Sequence, residues 1–370
     1  MPSINVLIKP ASGSCNLKCE YCFYCDTMEK RTVPSYGVMS TDILEMVIKQ
    51  VLGYAESFCT IGYQGGEPAL CGLDFFRKSI ELQKKYNKNH VHIQNTFQTN
   101  GYLLDKKWAE FLKENNFLVG ISLDGVPEIH DAFRKTKTGQ GSFYKVMENI
   151  KILQEIGVDF NILSVVTKKN AAYIRENYDF YRKNRLRYLQ FIACLEPFGE
   201  EAGHTGYSLT PELYGSFLIE LFDLWYEDLQ RGEQPYIRQF ENYIGMLLGK
   251  MPEECDMRGI CSLQYVVEAD GSVYPCDFYA LDEWRIGSFC ENTIQEMDME
   301  RKKKGFIEKS VIKGSYCEDC RYKNLCRGGC RRTRYADEGT HQYFCKSYQM
   351  FFDACLPRLK EIARVIGGGY

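Results

Sequence analysis

Apolar and polar positions in the first half of the chain alternate between two periods. Short β-rich runs occur at Ile4–Ile8, Phe58–Tyr63, His90–Phe97, Leu118–Leu123, Phe160–Val166 and Tyr188–Ala193, each of a length typical of buried strands. Between them the period lengthens. Leu44, Val47, Ile48 and Val51 recur at helical spacing after a Ser-Thr-Asp start, which predicts a helix over Ser40–Tyr54. Leu73–Tyr86, Asp105–Asn115, Ser142–Ile156 and Ala171–Lys183 fill the remaining gaps with helical patterns. Six β-then-α units imply an α/β fold with a parallel sheet and right-handed crossovers. Six rather than eight suggests a partial (β/α)6 TIM-like barrel, although an open doubly wound sheet gives the same string.

After Pro197 the rhythm changes. A polar stretch, Gly199–Tyr207, precedes a long helical pattern from Thr210 to Arg231, and Gly232–Pro235 reads as a break. This divides the chain into 1–233 and 234–370. Beyond the break the clear elements are a hairpin, Tyr265–Glu268 and Ser272–Tyr274 around Asp270-Gly271, and an amphipathic helix near Met350–Ile366.

Composition adds one decisive feature. The chain has 17 cysteines, an odd number that paired disulfides cannot use completely. Met1–Cys15 lacks the long apolar stretch of an export signal, and no later run approaches membrane-spanning length. A soluble cytoplasmic protein is therefore expected, and in that reducing compartment clustered thiols serve as metal ligands rather than bridges. With 26% charged residues and a net charge of −3, no global field favours nucleic acid or a membrane surface.

The first thiols lie directly after the first strand, in Cys15-Asn-Leu-Lys-Cys19-Glu-Tyr-Cys22. That position is the carboxyl edge of a parallel sheet, where such folds carry their chemistry. Three thiolates on a four-iron cubane leave one iron open to another ligand. With Cys25 counted, four thiols would also suit a structural zinc ion. The C-terminal third is denser, with Cys317, Cys320, Cys326, Cys330 and Cys345 close in sequence and Cys255, Cys261 and Cys276 upstream. Eight thiols suffice for two closed four-ligand clusters, or for zinc knuckles.

The C-x3-C-x2-C spacing, with Tyr21 before the third Cys, resembles the radical S-adenosylmethionine (SAM) enzymes from about Ile4 to Pro197. The resemblance implies that SAM chelates the open iron. It also implies SAM contacts from Tyr21, from Gly66 in Gly65-Gly66-Glu67-Pro68, from Ser122 to the ribose and from Leu195 near the adenine. Arg134 would pair its planar fork with the SAM carboxylate.

The C-terminal thiols resemble the SPASM extension of radical SAM peptide-modifying enzymes. The pattern of those enzymes assigns Cys255, Cys261, Cys276 and Cys330 to an inner 4Fe-4S cluster and Cys317, Cys320, Cys326 and Cys345 to an outer one. Three clusters bring about twelve irons per chain.

Leu7-Ile8-Lys9-Pro10-Ala11-Ser12, Cys22-Phe23-Tyr24, Gln64–Pro68, Asp270–Tyr279 and Gly328–Arg332 narrow the likeness to the anaerobic sulfatase-maturating enzymes. What this implies is radical oxidation of a Cys or Ser in a sulfatase polypeptide, within a Cys/Ser-x-Pro-x-Arg type motif, to Cα-formylglycine. A 5′-deoxyadenosyl radical removes a β-hydrogen, and a ferredoxin or flavodoxin supplies electrons. By residue type alone Asp277, next to Cys276, reads as closing the hairpin through a backbone hydrogen bond; the resemblance makes it the catalytic base instead. One rival is a SPASM maturase forming thioether or carbon–carbon cross-links, which often carries a leader-binding domain; only fourteen residues precede Cys15 here. A zinc-stabilised interaction protein is the rival of another class.

Overall fold

The computed structural model describes residues 3–311, 314–336 and 341–368. The chain packs as two compact units: Met1–Ser122, Asp131–Phe160 and Leu263–Phe306 form the first, and Leu123–His130, Asn161–Ser262 and Ile307–Tyr370 the second. Each unit draws on both sides of residue 233.

In chain order the described strands are β1 (Ile4–Ile8), β2 (Leu17–Cys19), β3 (Phe58–Tyr63), β4 (His92–Thr99), β5 (Leu118–Ser122), β6 (Arg134–Thr136), β7 (Phe160–Val166), β8 (Tyr188–Ala193), β9 (Tyr236–Ile237), β10 (Tyr265–Val267), β11 (Ser272–Tyr274), β12 (Gly287–Ser288), β13 (Arg334–Ala336) and β14 (His341–Gln342). In the first unit β1, β3, β4 and β5 pair in parallel in that order, with Ile4 opposite Cys59 and Ile8 opposite Tyr63. Alternation explains why they form. Ile4, Val6 and Ile8 are buried while Asn5 is exposed, so one register alone hides the apolar set. In the second unit β7, β8 and β9 pair in parallel.

The six expected β-then-α units are present. Ser40 caps the helix Thr41–Tyr54 by accepting from the Ile43 amide at 3.2 Å, satisfying one of the orphan donors at its start. Tyr63, Phe76, Phe97 and Trp108 pack edge-on or tilted at 5.1–5.5 Å between ring centroids. Truncating Phe76 or Phe97 to Ala would cost about 3–5 kcal/mol.

Three departures from the sequence reading matter. The stretch Ala171–Lys183 is divided into helices Lys168–Ala172 and Ile174–Lys183, because Tyr173 leaves helical geometry. Asn170, inside the first of these helices, donates to Asp124 O at 3.0 Å and Ser164 Oγ at 3.1 Å. The final helix begins at Cys345, five residues before Met350, and continues to Ile366 through Pro357.

The third departure is the hairpin β10–β11, read in sequence as part of the cysteine-rich region. It instead extends the first unit's sheet, β10 pairing in parallel with β1 so that Val6 faces Tyr265 and Ile8 faces Val267. Its consequence is local to chemistry: the segment after β11, Cys276-Asp277, arrives beside the segment after β1. Among the described residues no helix is long and apolar enough to cross a membrane.

Candidate active site

The loop after β1 is folded tightly on itself. Ser12 donates its amide to Lys9 O at 3.0 Å and Ser14 to Ala11 O at 2.9 Å, with Ser12 held at φ 44°. The loop after β3 clamps it: Gly66 N donates to Ser12 O at 2.8 Å and Glu67 N to Ser14 O at 2.7 Å. A Cβ on Gly66 would lie 2.1 Å from Ser14 O, so the approach requires glycine.

This clamp leads into the three thiols. β2 pairs antiparallel with β6, which sets Cys19 opposite Arg134 and brings Arg134 Nη1 to 3.9 Å from Cys19 Sγ. The same guanidinium lies over the Tyr21 ring, 5.3 Å from its centroid. Asn100 Nδ2 reaches Cys15 Sγ at 3.7 Å and Asn16 Oδ1 at 2.8 Å. Asn100 is in turn held by the fully buried Glu67, whose carboxylate accepts from Asn100 N at 2.8 Å, Thr99 Oγ1 at 2.8 Å and Ala69 N at 3.0 Å.

Burial governs the charges here. It pushes Glu67 up to about 7 despite three hydrogen bonds to its charged form, and pushes the Cys15 thiol up to about 11. Cys22 moves the other way, lowered first by a hydrogen bond from Cys25 and assisted by Arg134, while Cys25 rises as its donor.

Asp277 begins the short 3-10 turn Asp277–Tyr279 directly after Cys276. Its carboxylate forms an ion pair with Lys9 Nζ and accepts from Gln64 Nε2 at 2.9 Å. Phe278 packs edge-on against Phe23 at 4.8 Å, tying this turn to the residue after Cys22.

The second unit holds the other thiols in two groups. A cavity of about 730 Å³ is lined by Cys317, Cys320, Cys326 and Cys345 together with Lys323, Arg327 and Lys346. A tighter recess is lined by Cys255, Cys261 and Cys330 with Arg331 and Arg334. Burial pushes Cys326 and Cys330 up to about 12. Among the described residues no three His, Cys, Asp or Glu side chains converge closely enough to hold a metal ion; a four-iron cluster spreads its thiolates over a larger volume than one zinc does.

Residues 10–181 match the Radical SAM superfamily, and residues 259–321 match SPASM, an iron-sulfur cluster-binding domain. The cysteine-type anaerobic sulfatase-maturating enzyme of Clostridium perfringens (strain 13 / Type A) is 45% identical over 369 residues, covering 99% of this chain and 100% of that protein. This chain belongs to the anaerobic sulfatase-maturating enzymes. The serine-type enzyme of Bacteroides thetaiotaomicron is 33% identical over 373 residues, covering 95% of this maturase and 89% of its relative. Native anSMEcpe with bound AdoMet and Cp18Cys peptide matches the maturase structure with a TM-score of 0.93 at 44% identity, over 99% of this chain and 100% of that one.

Within the maturase, Cys15, Cys19, Cys22, Tyr21, Gly66, Ser122, Arg134, Cys276 and Asp277 all belong to the first unit, whereas Leu195 and the other seven ligand candidates belong to the second. Ser122 closes β5 and its Oγ accepts from Gln98 Nε2 at 3.4 Å. Leu195 lies two residues beyond β8 and is half-buried. Sequence reasoning singled out none of Lys9, Gln64 and Asn100 as a site residue. A usable signal existed for Lys9: a cation immediately after a parallel strand stands at the edge where α/β folds carry their chemistry.

Proposed function

We propose that this maturase oxidises a cysteine in a Cys-x-Pro-x-Arg type segment of a sulfatase polypeptide to Cα-formylglycine, with serine as the lesser substrate. The higher identity to a cysteine-type relative, 45% against 33% for a serine-type one, favours cysteine. The observation that carries the reading is the doubly held Asp277 carboxylate, tied through Phe278 and Phe23 to the three-thiol loop.

The donor sets fit the expected groups. Cys15, Cys19 and Cys22 hold one 4Fe-4S cluster and leave an iron for SAM, beside the Gly66 backbone that the resemblance assigns to SAM. Tyr21, Ser122, Arg134 and Leu195 orient SAM, Arg134 by charge and Tyr21 by its ring. Cys255, Cys261, Cys276 and Cys330 hold the inner auxiliary cluster, and Cys317, Cys320, Cys326 and Cys345 the outer. When bound, these groups supply a carbon-centred radical that takes a hydrogen atom from the substrate Cβ, and an acceptor for the second electron.

The protein's own share is proton handling. After the Cβ–H bond breaks, the substrate must lose the sulfur-bound proton and one electron to become a thioaldehyde. Asp277 takes that proton: the S–H bond breaks and a carboxylic O–H forms. Water then replaces sulfur, releasing hydrogen sulfide and leaving the aldehyde. A ferredoxin or flavodoxin is the expected electron donor, and the cytoplasm the expected compartment, since clusters need reduced thiols. Incubating a Cys-x-Pro-x-Arg peptide with reconstituted enzyme, SAM and reductant tests the reading by mass spectrometry. Conversion of the thiol to an aldehyde supports it; SAM cleavage with an unchanged or cross-linked peptide refutes it.

A further inference from the structure

Beneath Asp277 lies a sealed network of charges. Lys9 is 0% exposed, yet carries an ammonium whose Nζ meets Asp277 and stands 3.5 Å above the centroid of the Tyr24 ring. Tyr24 is held in turn, its hydroxyl donating to Glu268, which also accepts from Arg31 Nη1 at 2.8 Å and Ser12 Oγ at 2.8 Å. Two cations and two carboxylates balance. The side chains of Lys9, Arg31 and Glu268 are fully buried, and Asp277 alone of the four charges keeps some exposure, 16%.

Stability does not call for this arrangement. A buried ion pair costs desolvation of both partners, and apolar replacement of such pairs is often neutral or stabilising. What the arrangement does achieve is orientation. Lys9 engages Oδ1 and Gln64 engages Oδ2, so the carboxylate cannot rotate about its last bond. Lys9 is itself pinned, because its aliphatic stem is enclosed and its head rests on a ring fixed by Glu268.

We propose that Lys9 is a positioning residue for the reaction, fixing the Asp277 carboxylate at the angle and height needed to meet the substrate thiol. The inference rests on the formylglycine reading. Misplacing a reacting group by about 1 Å costs roughly a hundredfold in rate, so releasing one of the two restraints should cost about ten- to a hundredfold.

The test is a double-mutant cycle in fully reconstituted enzyme, comparing parent, Lys9→Met, Asp277→Asn and the double variant. Iron content and EPR signals are recorded with kcat and KM for a Cys-x-Pro-x-Arg peptide and the ratio of 5′-deoxyadenosine to formylglycine. Lys9→Met should lower kcat about ten- to a hundredfold, shift KM by less than about threefold and raise the ratio. In the Asp277→Asn background the same change should add no further loss, because a residue that acts through Asp277 has nothing left to position.

Parent-like kcat in Lys9→Met, or full multiplicative losses in the double variant, would overturn the proposal. Should Lys9→Met alone fail to hold its clusters, the double variant, which removes both charges, decides: normal iron with Asp277→Asn kinetics supports positioning, and renewed cluster loss assigns Lys9 to structure instead. A parent enzyme that makes no formylglycine at all would be failure of the underlying reading, a distinct result.

Discussion

The thiols of the N-terminal loop and those of the C-terminal groups sit in different electrostatic surroundings. In the loop the thiols are split, Cys22 lowered by its Cys25 hydrogen bond while burial pushes Cys15 up to about 11, and Arg134 lies against Cys19; in the C-terminal groups burial pushes Cys326 and Cys330 up to about 12. The loop joins few thiols to polar side chains that can grip a small molecule. The C-terminal groups join many thiols in surroundings that favour neutral sulfur until metal displaces the proton. On the proposed assignment, three thiols in the loop would leave a coordination position for chemistry, and four thiols to each C-terminal cluster would close it.

The largest effect expected from this difference is at the loop. Replacing Cys15, Cys19 and Cys22 together with Ala should abolish SAM cleavage while about eight of twelve irons remain. Iron analysis and 5′-deoxyadenosine measurement check it, and persistent cleavage would mean that another cluster binds SAM. Next, Asp277→Asn should keep all clusters yet lower formylglycine production by about 10²–10⁴-fold, the usual range for general base catalysis. Product at the parent rate would return Asp277 to a structural role.

Cys276→Ala or Cys330→Ala should cost iron and thermal stability together, since metal binding there is coupled to folding. Mössbauer or EPR spectra lacking one auxiliary cluster, with SAM cleavage still measurable, would separate this from the loop triple variant.

The smallest effect concerns Glu67. Its folded value, about 7, lies above the usual 4.5, so the folded state binds its proton more tightly than the unfolded chain does. Its stabilising contribution is therefore complete below about pH 4.5 and is lost as pH rises through 7, by up to about 3 kcal/mol. Glu67→Gln should flatten the pH dependence of unfolding across that window, read as the difference from the parent.

How much of this was legible in sequence follows from periodicity. β1, β3, β7 and β8 have the same ends in both readings, because each is an apolar run whose alternation leaves one register. The three-residue partners β2 and β6 carry no period, and they are what set Cys19 against Arg134. Spacing revealed the thiols, but not Asn100 beside Cys15 or Gln64 and Lys9 beside Asp277, because these contacts join residues distant in sequence; for Lys9, position after a strand was the one usable signal, and its burial could not be read from sequence.

The central claim is removal of a hydrogen atom from the substrate Cβ, followed by oxidation to the aldehyde. A Cys-x-Pro-x-Arg peptide whose cysteine carries two deuterons at Cβ tests it directly, with both products analysed by mass spectrometry. The account predicts one deuteron in 5′-deoxyadenosine and the other retained in formylglycine. Deuterium-free 5′-deoxyadenosine formed alongside aldehyde, or a peptide that keeps both deuterons while SAM is consumed, would contradict it.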